Sequence, residues 1–344
     1  MSEVRAKKAL GQHFLVDLNI ARKICDALSG GVRPEAGAET RAVAAGSADA
    51  DAETRTRVAG YAGAGAEART MAAGSADAGA ETRNGDGAGM AADARLAADT
   101  TAAGAPAAAE EERGGAVPCD VLEVGCGMGV LTQYLLRRGD ITTYGAEIDP
   151  ESVGYLHAHF PEFAPRLIEG DFLKMNLRER FPRGLKIIGN FPYNISSQIF
   201  FKVLEHRDLV PECVGMIQKE VAVRIAEPPG SKEYGILSVL LQAWYDIEYL
   251  FTVNETVFNP PPKVKSAVIR LRRNGVGRLG CDEALFVKVV KASFGQRRKM
   301  IRNSLRAVFG DFGGAEHPFF TQRAEQLSVA DFVQLTDWVA ANRK

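Results

Sequence analysis

Apolar residues along this chain recur with two spacings, and each spacing predicts one kind of element. Short continuous runs, such as Leu185–Ile188, predict strands that are buried on both faces. Spacings of three and four residues predict amphipathic helices; the first has Ile20, Ile24 and Leu28 on one face and Asp17 as its N-cap. The predicted strands are Cys119–Val124, Thr142–Ile148, Arg166–Glu169, Leu185–Ile188, Val214–Gln218, Asp246–Val253 and Ser266–Leu271.

Helical patterns alternate with these strands, which predicts an α/β fold with a mainly parallel, doubly wound sheet. The last two strands flank a proline-rich stretch and are expected to form an antiparallel pair at the edge of the sheet. After Arg273 only helical patterns remain. The predicted helices after the first are a helix ending near Arg138, Glu151–His159, Ser196–Glu205, Lys219–Ala226, Tyr234–Trp244, Glu283–Phe294, Arg297–Phe309, Thr321–Gln326 and Val329–Asn342.

Residues 33–117 interrupt this pattern with a low-complexity segment rich in Ala and Gly. It has one Leu, one Tyr and no Ile, Phe or Trp, and it repeats itself almost perfectly at Ala44–Arg55 and Ala72–Arg83. Such a segment cannot bury enough apolar surface to offset its ordering entropy. We therefore predict a disordered insertion that divides the chain. The predicted parts are an N-terminal segment and first helix (1–32), the insertion (33–117), an α/β domain (118–274) and a helical C-terminal domain (275–344).

Charge is distributed unevenly along a chain whose total is −1. Residues 33–117 contain eight Arg and fourteen Asp or Glu, so the remainder carries +5. Residues 259–306 contain thirteen Lys or Arg and only two acids. Basic segments of this density commonly contact phosphates, although many are simply solvated surfaces.

The cysteines and the N-terminus indicate a reduced intracellular compartment. The five cysteines show neither paired spacing nor partner histidines, so we expect free thiols and no metal site. The first ten residues are basic and lack the apolar core of a signal peptide, and no run is long enough to span a membrane. A cytoplasmic protein is expected.

Candidate binding residues fall at the ends of four successive predicted strands. In a doubly wound sheet, ligands bind outside the carboxyl ends of the strands. Gly125, Gly127 and Gly129 follow the first strand of the sheet, and Glu147 lies about twenty residues later, where an acid can bind ribose hydroxyls. Asp171 follows the third strand. The glycine run alone leaves a hydride-transfer enzyme open, whereas all four strand ends together favour a methyltransferase that uses S-adenosylmethionine.

The fourth strand ends in Asn190, Phe191, Pro192 and Tyr193, an unusual combination of amide, proline and aromatic ring. Asn190 Oδ1 and a turn carbonyl can accept from an exocyclic amino group, while Tyr193 stacks on the attached ring. Adenine is the obvious candidate for such a ring. Taken alone, these residues fit an ordinary turn with a packed tyrosine equally well.

Four motifs in order resemble the KsgA-type small-subunit ribosomal RNA adenine N6,N6-dimethyltransferases. They are Lys8–Leu15 (KALGQHFL), the glycine run, Gly189–Ser197 (GNFPYNISS) and Phe258–Ser266 (FNPPPKVKS). The resemblance covers everything except the insertion. It implies a Rossmann-like catalytic domain with a small helical C-terminal domain, and S-adenosylmethionine as the methyl donor. It also implies two adjacent adenosines, in a hairpin loop near the 3′ end of small-subunit (16S) rRNA, as the substrate.

The resemblance also implies roles for individual residues. The chain departs from the family at Cys126, where proline is frequent, and at Phe191, where leucine is commoner; both changes keep an apolar side chain. The cofactor contacts implied are His13, Leu15, Gly125, Gly127, Glu147, Asp171 and Asn190. The catalytic residues expected are Asn190, Pro192, Tyr193 and Phe258, with Phe258 covering the second face of the adenine. The phosphate contacts expected are Lys263, Lys265, Arg297, Arg298, Lys299 and Arg302.

Two other functions fit part of the pattern. Antibiotic-resistance methyltransferases that act on large-subunit rRNA share the Asn-(Leu/Phe)-Pro-Tyr turn, and a ribosome-assembly factor can keep the fold without catalysis. The stretches at 189–197 and 258–266 favour the small-subunit enzyme. We expect a monomer whose partner is the small ribosomal subunit and which binds neither DNA nor a membrane.

Overall fold

The computed structural model describes Val4, Lys7, residues 10–30 and residues 118–343. The predicted insertion at 33–117, its predicted disorder and the internal repeat lie outside these residues. The described residues on either side of it belong to one compact unit. None of the described helices is long and apolar enough to cross a membrane.

A seven-stranded sheet forms the centre of this unit, in the order β4-β3-β2-β5-β6-β9-β7. Strands β2 to β6 are parallel to one another, β9 is antiparallel to both β6 and β7, and a separate short pair joins β1 to β8. The strands are β1 (Phe14–Leu15), β2 (Cys119–Val124), β3 (Ile141–Glu147), β4 (Leu167–Glu169), β5 (Lys186–Asn190), β6 (Glu212–Gln218), β7 (Tyr245–Val253), β8 (Phe258–Asn259) and β9 (Ser266–Arg273).

Helices cover both faces of this sheet, because successive strand residues point to opposite sides. Val121 of β2 belongs to the same buried apolar cluster as Ile24 of the first helix. Its neighbour Leu122 belongs to a second cluster, together with Phe200. The helices are α1 (Leu18–Ala27), α2 (Thr132–Leu135), α3 (Pro150–His159), α4 (Leu177–Arg180), α5 (Ser196–Glu205), α6 (Lys219–Ala226), α7 (Ile236–Gln242), α8 (Glu283–Gly295), α9 (Ile301–Phe309) and α10 (Val329–Asn342).

Most predicted elements are present, but two helical predictions in the C-terminal part were wrong. Helix α9 begins at Ile301 instead of Arg297, because the chain turns after α8 and Met300 pairs with Arg323. The segment predicted as one helix, Thr321–Gln326, instead holds the last residue of one 3-10 turn, Pro318–Thr321, and a second 3-10 turn, Ala324–Gln326. The backbone of this segment forms hydrogen bonds to other parts of the chain instead, since the Ile301 N–H donates to the carbonyl of Gln322 at 2.8 Å.

The helix predicted after the glycine run is also shorter than expected. It spans only Thr132–Leu135 and is followed by turns, although the sequence predicts a helix that continues to about Arg138. Gly125, Gly127 and Gly129 have φ angles of 76°, 54° and 76°, so the backbone before the helix is left-handed at every second residue. That conformation excludes helix there and delays its start.

Helices on both sides of the predicted domain boundary at 274/275 share one apolar core. Leu240 and Trp244 before the boundary lie in the same buried cluster as Phe286 and Val290 after it. The rings of Trp244 and Phe286 meet edge to face, with centroids 6.0 Å apart. The division into two domains stays a prediction.

The end of α1 is fixed at the amino edge of the sheet, where the parallel strands begin. Lys186, the first residue of β5, donates from Nζ to the carbonyls of Ser29 at 2.9 Å and Gly30 at 3.0 Å. It also forms an ion pair of 3.1 Å with Glu212, the first residue of β6. The chain therefore leaves the described region before residue 31 at the edge opposite the strand ends that carry the predicted site.

Candidate active site

A crevice lies at the carboxyl edge of the sheet, between the ends of β2 and β5. The chain runs from β2 outward to β3 and β4, and then returns to β5 on the other side of β2. Glu123 of β2 is paired with Ile188 of β5, so the loops that follow the two strands leave the sheet at the same level. This reversal of direction is the place where doubly wound sheets bind ligands.

A cavity of about 210 Å³ occupies this crevice. Five segments contribute to its wall: the N-terminal segment, the glycine loop after β2, and the ends of β3, β4 and β5. The structure thus brings together nearly all the residues predicted as cofactor or catalytic positions. Those that line the cavity are His13, Leu15, Gly125, Gly127, Glu147, Asp171, Asn190, Pro192 and Tyr193.

Glu147 ends β3 and holds the glycine loop by its carboxylate. The backbone N–H of Gly127 donates to Oε2 at 2.8 Å, and those of Ile148 and Asp149 donate to Oε1 at 2.9 Å. Burial raises the pKa of Glu147, and the three N–H donors oppose that rise. Because a carboxylate has about four acceptor positions, one remains on Oε2 for a ligand.

The N-terminal segment crosses the cavity and is attached on its far side to Asp149, the N-cap of α3. Lys7 Nζ forms ion pairs with Asp149 and, at 3.1 Å, with Glu151. Gln12 accepts from the Lys7 N–H at 2.8 Å and donates to Asp149 at 3.5 Å. Although burial opposes ionisation, the bonds from Lys7, Ser152 and Gln12 lower the pKa of Asp149. Asp149 thus binds Glu147 through its backbone N–H and Lys7 through its side chain, so the residues after β3 hold both the glycine loop and the N-terminal segment.

Asn190 ends β5, and its amide group has a defined orientation. Nδ2 donates to the carbonyl of His13 at 2.9 Å. Since that carbonyl is only an acceptor, the nitrogen must face it and Oδ1 must face the other way. Among the described residues no donor reaches Asn190 Oδ1 or the carbonyl of Phe191. Two acceptors in the cavity wall are thus available at the turn.

Phe191 fixes the position of this turn. Its ring is 1% exposed and lies over Gly189 of β5 and Gly215 of β6, which are paired with each other. A Cβ at Gly215 would lie 2.5 Å from Phe191 Cε2, and one at Gly189 would lie 2.9 Å from Cε1. The two glycines make room for the ring, and the Phe191 N–H donates to the Met216 carbonyl at 3.0 Å.

Tyr193 is held at its hydroxyl and by its ring. The hydroxyl lies 2.5 Å from Ser266 Oγ at the start of β9. The ring packs against His13, with centroids 5.3 Å apart and planes inclined by 31°. His13 is oriented in turn by a bond of 2.9 Å from Nδ1 to the Pro260 carbonyl. Burial raises the pKa of Tyr193, which keeps the phenol neutral, while the Ser266 bond lowers it.

Comparison with known proteins agrees with this geometry. Residues 118–341 match the family model described as ribosomal RNA adenine dimethylase. The chain belongs to the ribosomal RNA adenine dimethylase family.

Two curated relatives illustrate how close the similarity is. Ribosomal RNA small subunit methyltransferase A of Parabacteroides distasonis is 60% identical over 218 residues, which cover 63% of this chain and 81% of the relative. The protein of the same description from Porphyromonas gingivalis is 59% identical over 220 residues, covering 63% and 84%.

A solved structure supports the fold. The dimethyladenosine transferase from Plasmodium falciparum is 25% identical, with a TM-score of 0.55, and the match covers 65% of this chain and 90% of that one. The fold is accordingly Rossmann-like, as in S-adenosylmethionine-dependent methyltransferases, with a helical C-terminal part.

Membership of this dimethylase family implies S-adenosylmethionine as cofactor, and the residues of the cavity fit it. Glu147 Oε2 keeps an acceptor position suited to a ribose hydroxyl, and the glycine loop leaves room for the ligand to approach the backbone. Ile148 is an apolar side chain left 51% exposed at the cavity, where a purine ring would cover it. Asp171 uses Oδ1 to accept from the Leu173 N–H at 2.9 Å, while Oδ2 lies 4.0 Å from Lys174 Nζ, beyond hydrogen-bond distance, and can accept from an amino group.

Phe258 is the one predicted catalytic residue that the structure does not bring to the cavity. It is 3% exposed, pairs through its backbone with Leu15, and packs in the apolar cluster that includes α1. In this position its ring cannot stack on a base. The prediction that Phe258 covers the second face of the adenine is therefore not supported.

The residues predicted as phosphate contacts of this dimethylase fall into two groups. Lys263 and Lys265 are exposed in the loop before Ser266, the residue whose hydroxyl contacts the Tyr193 hydroxyl. The other group lies in the turn between α8 and α9 and at the start of α9, and comprises Arg297, Arg298, Lys299 and Arg302. The first three are exposed, although Arg297 also donates to the Tyr234 carbonyl at 3.3 Å, whereas Arg302 pairs with Glu316 and lies 5.6 Å from the Phe320 ring centroid. Arg302 is thus engaged within the protein.

Ile148, Asp149 and Glu123 were not predicted as site residues. A signal for Asp149 exists in the sequence, since an Asp before Pro150 is a typical helix start. Its pairing with Lys7, 142 positions away, has no local signal. Among the described residues no cluster of His, Cys, Asp or Glu could hold a metal ion.

Proposed function

We propose that the protein transfers methyl groups from S-adenosylmethionine to N6 of two adjacent adenosines in the 3′-terminal hairpin loop of small-subunit (16S) rRNA, dimethylating each. The observation that carries the chemistry is the orientation of Asn190, whose Oδ1 is left as an acceptor beside the Phe191 carbonyl. The choice of RNA rests on the relatives described as small subunit methyltransferases.

In this proposal the turn at the end of β5 prepares the amino group of the base. Asn190 Oδ1 and the Phe191 carbonyl accept the two N6 hydrogens, which draws the nitrogen lone pair out of conjugation with the ring. The Pro192 carbonyl is less suited, because it already accepts from the Ile195 N–H at 3.1 Å. Tyr193 stacks on the ring of a base turned out of its hairpin, as enzymes that modify bases generally require.

S-adenosylmethionine supplies the methyl group that the prepared nitrogen attacks. The protein contributes position and fixed dipoles, effects that are together worth several kcal/mol of barrier, on the order of 3–7. No general base is required, because the nitrogen becomes acidic only as it is alkylated and then loses its proton. Asn190 Oδ1 remains an acceptor for the hydrogen left after the first transfer.

The RNA is expected to lie across exposed cations of the loop before β9 and of the turn between α8 and α9. Lys263, Lys265, Arg297, Arg298 and Lys299 are the proposed phosphate contacts. Arg302 acts indirectly in this scheme, since its pair with Glu316 and its contact with Phe320 hold the start of α9. A monomeric enzyme that serves small-subunit biogenesis completes the proposal.

The test uses purified protein, S-adenosylmethionine and small subunits from a strain that lacks the modification. The RNA is digested, and N6,N6-dimethyladenosine is measured by mass spectrometry. We expect the nucleoside with the native protein and with a control variant, Asn254→Ala, whose side chain is exposed after β7. Asn190→Ala should lose the activity while still binding the subunit. Full activity of Asn190→Ala would contradict the catalytic assignment.

Two other outcomes identify the alternatives. Methylation of large-subunit RNA alone would favour the resistance-type enzyme. Binding of the subunit without methylation of either RNA would favour an assembly factor.

The RNA surface has a separate test in the salt dependence of binding. Reversing Arg297, Arg298 and Lys299 to Glu should weaken binding and reduce the slope of log K against log salt by about two to three. Reversing Arg180 and Arg183, exposed around α4, provides the control. An unchanged slope in the first variant would exclude that turn as a phosphate contact.

A further inference from the structure

Glu123 is a buried carboxyl group that the proposed mechanism does not use. It is the penultimate residue of β2, is 1% exposed, and lies in the wall of the same cavity as the glycine loop. Thr132, the first residue of α2, donates from Oγ1 to Glu123 Oε2 at 2.6 Å. A carboxyl in such a place needs a partner or a proton, because burying an unpaired charge is costly.

No cation provides that partner among the described residues. The groups that face Glu123 are Glu147 of β3, Cys126 of the glycine loop, Cys25 of α1 and the Thr132 hydroxyl and N–H of α2. Burial raises the pKa of Glu123 to about 8, the bonds from Thr132 lower it, and the charge of Glu147 raises it. Near neutral pH the free protein therefore holds a proton on this carboxyl.

The ligands that alternate in this cavity differ by one charge. S-adenosylmethionine carries a positive sulfonium, whereas S-adenosylhomocysteine, which remains after transfer, has a neutral thioether. Both keep the same adenosine, amino and carboxylate groups. A cavity carboxyl without a basic partner therefore distinguishes the two chiefly through the sulfonium charge.

We infer that Glu123 is the specificity-determining residue that favours the methyl donor over the spent product, by ionising when the sulfonium occupies the cavity and taking up a proton when the neutral thioether remains. The inference rests on the proposed function, because it concerns the same cavity. It matters for dimethylation, since each adenine consumes two donors and spent product must leave between the transfers.

Binding measurements can test this without turnover. Isothermal titration gives the Kd of each ligand between about pH 6 and pH 9 for the native protein and for Glu123→Gln. Glu169→Gln serves as a control at the exposed end of β4. The amine of the ligand titrates equally with all three proteins, so differences between proteins report Glu123. Repeating the titrations in buffers of different ionisation enthalpy gives the protons released.

For the native protein we expect the preference for S-adenosylmethionine over S-adenosylhomocysteine to rise with pH. Near pH 8 this preference should be roughly 5- to 150-fold greater than in Glu123→Gln, the usual range of coupling between two binding events. The dependence on pH should be flatter in the variant, and Glu169→Gln should behave as the native protein. At pH 7 the donor should release up to one more proton on binding than the product does.

An equal preference in native protein and a folded Glu123→Gln variant at every pH would overturn the inference and leave the proposed function intact. Failure of the native protein to bind either ligand would overturn both. If Glu123→Gln does not fold, equal proton release by the two ligands in the native protein is decisive against the inference. Thr132→Val gives a second variant. Without the hydroxyl donor, the rise in preference should move to higher pH.

Discussion

Gly215→Ala offers a strict test of how the turn at Asn190 is held. The added Cβ would lie 2.5 Å from Phe191 Cε2 and 2.9 Å from Cδ2, distances that real Cβ contacts essentially never show. The ring cannot retreat across the sheet, because Gly189 lies beneath its other edge and Phe200 meets it at a centroid distance of 5.8 Å. The Phe191 ring must therefore shift, and the turn that contains Asn190 and Phe191 must shift with it.

Overpacking of this kind costs about 1–3 kcal/mol. For a protein of this size that cost lowers the Tm by roughly 2–12 °C, which differential scanning calorimetry resolves readily. A ring displaced by about 1 Å also displaces Asn190, the preceding residue, and kcat should fall by up to about 100-fold. Gly154→Ala is the matched control. Its Cβ meets nothing within 4 Å on the exposed side of α3, and it should stabilise the protein slightly.

A second substitution separates steric strain from other effects. In Phe191→Leu the smaller side chain leaves space over the two glycines, and the single variant should lose stability through that space. In the double variant Phe191→Leu/Gly215→Ala the new methyl group fills part of it. Its loss of stability should be smaller than the sum of the two single losses by about 1 kcal/mol or more. A Gly215→Ala protein as stable as the native one, or strictly additive losses, would refute this account of the turn.

Four further predictions concern buried or bridging charges. Lys186→Met removes the buried cation of the 3%-exposed Glu212 carboxyl and leaves it only Arg272, which is 43% exposed with its Nε 3.4 Å away. The change should cost up to about 3–5 kcal/mol, more than Lys186→Met with Glu212→Leu, as thermal unfolding will show. Ser29 and Lys186 lower the pKa of Glu212 against the effect of burial, so the stability that Glu212 contributes should disappear as pH falls below about 4. Burial raises the pKa of Glu123 to about 8, so its ionisation opposes folding increasingly as pH rises from its unfolded value. Glu123→Gln should therefore unfold near the native temperature at pH 5 and at a higher temperature at pH 9, where its free energy of unfolding should exceed the native value by up to about 5 kcal/mol. Lys7→Ala should raise the Kd for S-adenosylmethionine, because Lys7 ties the N-terminal segment to Asp149, and it should also lower the Tm, because the buried Asp149 carboxyl loses its cation.

The sequence located the strand ends well because their signals are local. Glu147 and Asn190 are the last residues of β3 and β5, within one or two residues of the predicted strand ends, and Asp171 follows β4 closely. Asn190 follows a short run in β5 that is buried on both faces, and a run of this kind has an obvious end. Parallel topology then brings the ends together at one edge.

Features that depend on distant partners were beyond the sequence pattern. The turn at Arg297 has the composition of a helix start, and only the pairing of Met300 with Arg323 diverts it. Phe258 lies within a recognisable motif, yet its backbone pairing with Leu15 decides which way the ring faces. The place of β9 between β6 and β7 is likewise a matter of pairing between distant segments.

The position of β9 has a consequence for how the chain is made. Synthesis proceeds from the N-terminus, so β6 emerges with one edge paired to β5 and the other bare. β7 is synthesised next but pairs with neither β5 nor β6, because its neighbour in the sheet is β9. Until Ser266–Arg273 has left the ribosome, β6 and β7 therefore have unpaired edges, and unpaired edges promote aggregation. When β9 pairs with both strands, it covers these edges at the same time. A nascent chain arrested before residue 266 should therefore bind chaperones strongly.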